Sequence, residues 1–226
     1  MTRPSLDKIT ARTAGISLIA LTGLSLLFMA HHPTLGAPGY DTLAEEAAAE
    51  AGLNGGVHGA LIVILIGFYV MLTALSDGLG RKRLSVRTAQ ASIIAASALM
   101  AGAALVSGFI VPGTAASLLR GDAAADFPAL LRMLGATNQT LAEAGTIAYG
   151  AAIFFWSLRL IRMTGLARMT GAIGLLAGAG LIGGIVTGLL HLDVAGMTLA
   201  LGVMGLWFVL AALLMIAGAL SAQEQH

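Results

Sequence analysis

The chain contains no cysteine in its 226 residues. That excludes disulfides, thiolate metal sites and iron–sulfur clusters, and leaves any metal to His, Met, carboxylate or carbonyl ligands. Charge is also scarce, with Asp, Glu, Lys and Arg at 10% and aromatic residues at 5%. A formal net charge of +1 offers nothing to nucleic acid or to acidic substrates, and no nucleic-acid partner is expected. No Walker loop, dinucleotide fingerprint, His-Glu-x-x-His pair or serine nucleophile elbow occurs, so no catalytic motif specifies a reaction.

What is present is apolar. Hydrophobic residues make up 58% of the chain and its mean hydropathy is +0.90. Several apolar runs reach the roughly 20 residues that cross a bilayer as a helix. The expected fold is an all-α polytopic integral membrane protein: a single domain, 1–226, with six transmembrane helices in one bundle. The runs place the spans at about 14–31, 54–76, 88–111, 136–159, 171–191 and 195–219. A short amphipathic segment at about 41–51, rich in Ala and Glu, precedes the second span, and Gly52, Gly55 and Gly56 predict a break between them.

The first span follows Arg3, Lys8 and Arg12 and resembles a signal peptide in outline. The bulky Phe28 stands where cleavage after Ala30 would need a small residue, so an uncleaved helix is expected, ending at His31-His32-Pro33. The third span is predicted to stop at Pro112-Gly113. Asp126 followed by Pro128 reads as a cap and first turn ahead of the fourth, and Asp193 as the cap of the sixth.

Basic residues set the expected orientation. Of the twelve Lys and Arg, Arg3, Lys8, Arg12, Arg81, Lys82, Arg83, Arg87, Arg159, Arg162 and Arg168 fall on one side of a six-span model, leaving Arg120 and Arg132 on the other. The positive-inside rule then makes both termini cytoplasmic. The Ala- and Gly-rich, aromatic-poor composition points to a bacterial inner membrane. The lipid bilayer is the first partner. Small residues along the third and fifth spans, including Gly174-x-x-x-Gly178 and Gly180-x-x-x-Gly184-x-x-x-Gly188, allow close contact with another membrane protein or a second copy.

This orientation collects polar residues on the outer side. His31 and His32 end the first span, His58 begins the second, His191 ends the fifth, and Asn138 and Glu143 lie on the fourth. Glu143 is about 10 Å into its helix at 1.5 Å per residue. An ionisable group buried in the bilayer is expensive without a partner, so His58 and Glu143 are the strongest functional candidates. The expected metal set is His31, His32, His58, Glu143 and His191, with imidazole and carboxylate suiting Cu, Zn or Fe, and with Met29 and Met197 at the same level as further copper ligands. A haem b held by His58 and His191, or by His58 and His32, is the cofactor variant. The plain alternatives are a His58–Glu143 pair stapling two helices and an Arg132–Glu143 ion pair. The function this suggests is electron transfer, quinone chemistry or metal handling at an outer-face site. A non-catalytic assembly or structural subunit, or a small transporter or channel with Glu143, His58, Asn138 and Tyr149 along a polar route, are the alternatives.

Overall fold

A computed structural model describes residues 7–31, 41–121 and 124–220. The helices are α1 (Lys8–Ala30), α2 (Leu43–Ala49), α3 (Ala51–Leu79), α4 (Leu84–Leu105), α5 (Val111–Arg120), α6 (Phe127–Leu160), α7 (Gly165–Val186) and α8 (Val194–Ile216). A π-turn, Val106–Ile110, joins α4 to α5, and the 3₁₀ turn Ala124–Asp126 leads into α6. Among the described residues, six helical stretches are long and apolar enough to cross a membrane, α4 through α5 counting as one. The chain is thus an all-α polytopic membrane protein. Its outward faces agree, since Leu176 is 77% exposed and Val63 67%. Such a surface is a liability in water and ordinary against lipid.

Two helix groups make the bundle. In one, α1 packs along α8 and α3; in the other, α6 packs along α4 and α7, and the α3–α4 and α7–α8 contacts join them. Near the end of the bundle opposite His58, fully buried Trp156 and Trp207 stack with ring centroids 5.8 Å apart. Trp156 Nε1 donates to Ser76 Oγ at 2.9 Å, linking α6 to α3. At the same end Arg81 Nε donates to Gln90 Oε1 (3.2 Å) and Gln90 Nε2 to Thr73 Oγ1 (3.0 Å), tying the α3–α4 hairpin. The glycines Gly171, Gly174 and Gly178 of α7 are spent inside the chain. A Cβ on Gly171 would strike the Ile161 backbone, on Gly174 Ser157 Oγ and Trp207 Nε1, and on Gly178 the carbonyl of Gly150. Gly180 and Gly183 face open space.

Several expected boundaries move, each for a local reason. The glycines at 52, 55 and 56 do not break a helix: the chain turns at Glu50, and α3 runs unbroken from Ala51. Gly55 lies against Phe109 and the Gly108 carbonyl at distances that would leave a Cβ in ordinary contact. The preceding α2 is shorter than the expected segment and starts with a capping box, Thr42 Oγ1 accepting from Glu45 N–H while the Glu45 carboxylate takes the Thr42 N–H. Its buried Ala44 and Ala47 pack with Val111, Ala115 and Phe127 in a second small core.

Pro112-Gly113 does not stop the third span. In the π-turn Val111 N–H donates to Val106 O, five residues back. The next bond in that pattern would run from residue 112 to Ser107 O, and proline has no N–H to give. Asn54 Nδ2 takes its place, donating to Ser107 O at 3.0 Å. The freed carbonyl is satisfied and the helix continues as α5 to Arg120. Asp126 holds the N-cap position of α6 without a side-chain cap bond, whereas Asp193 caps α8 by accepting from Gly196 N at 2.8 Å. The fifth span lies earlier in the chain than expected, starting at Gly165. α7 ends at Val186, and Gly188, at φ 72°, turns the chain away in the left-handed region that suits glycine.

Candidate functional site

The expected site residues occupy different environments. His58 is 3% exposed, one face of α3 carrying it inward, and its Nδ1 lies 2.9 Å from Asn54 O one turn earlier. Gly108 makes this position possible, because a Cβ there would collide with the His58 side chain. The π-turn and the histidine are therefore packed directly together. His31 is exposed at the C-cap of α1, with Nδ1 2.9 Å from Leu27 O. His32 lies outside the described residues.

Glu143 is half-buried on α6 and accepts from Gln139 Nε2 at 2.9 Å. Arg132 sits eleven residues earlier on the same continuous helix, about 16 Å away along its axis, so the two form no ion pair. His191 is exposed in the α7–α8 connection instead of at a helix end, because α7 stops early. Among the described residues, no three His, Asp or Glu side chains come together as a metal site.

What His58 does face is a cavity of about 120 Å³, partly open, in the bundle half that holds it. Its walls come from both helix groups: Ser25 and Met29 of α1, His58 through Phe68 of α3, Met100 of α4, Ser107 of the π-turn, Asn138 of α6, and Met197 of α8. Pockets between the helices of a bundle are common places for small ligands. Ten residues separate His58 from Phe68, so the walls extend about 15 Å along α3. Polar groups cluster at one end, where His58, Asn138 and Ser107 are found. The deeper wall is Ile64, Leu65, Phe68 and Leu201.

Among the described residues, no Asp, Glu, Lys or Arg lines the cavity. The Asn138 carboxamide and the Ser107 hydroxyl make no side-chain hydrogen bond to another described residue, and each can donate and accept. A haem macrocycle is several times larger than this space, and among the described residues His58 is the only histidine on its wall.

Sequence reasoning reaches part of this set. His58, Asn138, Met29 and Met197 are legible as residues at one depth. Met100 and Ser107 are not, because the third span carries no ionisable residue that marks a face, and the extra residue of the π-turn shifts which side chains turn inward. The one available signal was Pro112 inside an otherwise uninterrupted apolar run, since a proline within a helix calls for a compensating irregularity. No protein-family model, curated protein or solved structure matches the chain.

Proposed function

We propose that this membrane protein binds a small uncharged molecule, drawn from the lipid phase or the outer interface, in the cavity around His58. The observation that carries the reading is the pairing of a mostly apolar cavity with two hydrogen-bonding side chains, Asn138 and Ser107, at one end, the usual composition of a ligand pocket. A blind site is favoured over a through-path. Below Phe68 the bundle is filled by Leu72, Leu75, Trp156 and Trp207, all fully buried. In the orientation set by the basic residues, the termini are cytoplasmic and the cavity lies in the outer half of a bacterial inner membrane.

The test uses toluene as probe, because engineered apolar cavities of about 150 Å³ take up benzene. Protein in lipid nanodiscs is expected to bind toluene saturably at one site, and Ala104→Leu or Ala142→Leu, which fill the wall, to abolish it. Uptake that never saturates, or that both variants leave unchanged in folded protein, overturns the reading.

A second reading rests on another feature of the same walls. Met29, Met100 and Met197 surround the cavity together with His58, and thioether and imidazole are ligands that select Cu(I). It replaces the His31, Glu143 and His191 metal set with a softer one. Stoichiometric Cu(I) retained against a competing chelator, and lost when the three methionines are changed to leucine, would establish it; no retention would sink it.

A further inference from the structure

We infer that the occupant of the His58 cavity is a neutral single ring carrying hydroxyl or carbonyl oxygens, of the hydroquinone, benzoquinone or phenol class. This rests on the ligand-binding reading above and adds the chemistry of the ligand. Four features converge.

Size comes first. About 120 Å³ is close to the space that holds one benzene ring, and the partial opening leaves a substituent room to project. Two fused rings or a macrocycle would require the helices to part, and interiors packed at crystal-like density resist that.

Charge is the second feature. With no Asp, Glu, Lys or Arg among the described residues of the walls, a formally charged ligand would lose its hydration without a counter-ion there. Carboxylates and amines are therefore selected against.

The third feature is the position of the polar groups. Asn138 on α6 and Ser107 on the π-turn approach the same end of the cavity from different helices. A carboxamide offers N–H and C=O side by side, and a hydroxyl rotates to donate or accept, so together they suit both a ring carbonyl and a ring hydroxyl. A hydrocarbon would leave both groups buried and unpaired, the situation in which binding sites discriminate most strongly. The position of Ser107 follows from the π-turn, which the Asn54 bond to the Ser107 carbonyl holds in place.

The walls are the fourth. Methionine sulfurs pack well against aromatic rings, and Met29, Met100 and Met197 line the cavity together with Phe68. Three flexible thioethers around one space accommodate a flat ring better than branched aliphatic side chains would.

The absence of cysteine makes the test clean, since quinones have no thiol to alkylate in this chain. Binding of 2,6-dimethylhydroquinone, 2,6-dimethylbenzoquinone, toluene and benzoate is measured on the full chain in nanodiscs. The oxygenated rings are expected to bind at least ten-fold more tightly than toluene, and benzoate not at all. Asn138→Leu should weaken hydroquinone binding on the order of ten-fold while leaving toluene binding equal or stronger. Ser107→Ala should act in the same direction, and retained toluene binding shows that either variant is folded. Toluene binding as tightly as the hydroquinone, or both variants binding hydroquinone like the wild type, overturns the ring-oxygen inference and leaves the cavity as a ligand site. Failure of every probe to bind saturably overturns the parent reading as well.

Discussion

Two glycines on one helix should respond to the same substitution with opposite sign. At Gly178 an added Cβ would lie 2.5 Å from the Gly150 carbonyl oxygen and 2.9 Å from both Phe154 N and Cβ. Ordinary contact begins near 3.4 Å, so α6 and α7 must separate locally by about 3.4 − 2.5 = 0.9 Å. Two of these three neighbours are backbone atoms and cannot swing aside. Overpacking of this kind costs about 1–3 kcal/mol, and the better helix propensity of alanine returns about 1 kcal/mol. With two backbone atoms in the way the upper part of that range applies, about 2–3 kcal/mol, so Gly178→Ala should destabilise by about 1–2 kcal/mol. At Gly180, two residues on, nothing lies within 4 Å, and only the propensity gain remains. Gly180→Ala should be neutral or stabilising by up to about 1 kcal/mol. Unfolding in mixed micelles by added dodecyl sulfate reads both, with fluorescence from Trp156 and Trp207, the chain's two tryptophans, as reporter. Equal shifts in the same direction, or an unchanged Gly178→Ala midpoint, would refute the reasoning.

Ser76→Ala leaves the Trp156 indole N–H without its acceptor in a fully buried layer. It should destabilise by about 1–2 kcal/mol in the same assay and blue-shift the emission; an unchanged midpoint argues that the bond contributes nothing net. Asn54→Leu removes the donor to Ser107 O and should speed hydrogen exchange selectively along the π-turn and the start of α5, whereas exchange unchanged there would show that the carbonyl is satisfied by other means. Asp7 caps α1, and the bonds from Thr10 Oγ1 and then Ile9 N–H hold its carboxyl below the usual aspartate range. A depressed value means that the cap is intact at neutral pH and is lost as pH falls through the folded value. The Ile9 amide shift should accordingly titrate below about pH 3.9, and a midpoint at or above that removes the cap bonds from the account. The cysteine-free chain also suits single-cysteine labelling: Leu189→Cys should react with an impermeant maleimide from outside intact cells and Arg162→Cys only after lysis, the reverse pattern inverting the proposed orientation.

Much of the bundle can be read from sequence because bilayer thickness demands long apolar runs, and six such runs produce six spanning helices. The ends of those runs are less legible. Pro112 carries the ordinary signal of helix termination, yet a tertiary partner overrules it: a side chain from α3 substitutes for the N–H that Pro112 lacks. Gly52 carries a similar signal, and α3 runs through it with no neighbour near the missing side chain. The importance of His58 follows from one ionisable side chain at the head of an apolar run. Its neighbours do not follow, because which helix faces which is decided by close packing at positions such as Gly108 and Gly145, where a missing Cβ, not a chemical signature, determines the contact. Depth along the membrane was thus readable, and azimuth around each helix was not.

The wide turn at Val106–Ile110 is an absorbed insertion. Its ring closes from Val111 N–H to Val106 O, five residues back, and so takes up one residue more than an α-turn in nearly the same arc. Deleting one of its residues would restore an ordinary α-turn and leave Val111 and Ala115 on nearly the face they now turn toward Ala44 and Ala47. The change should be confined to the turn itself, to the Asn54 bond on the Ser107 carbonyl and to the polar end of the cavity, while α2 and α5 keep their packing.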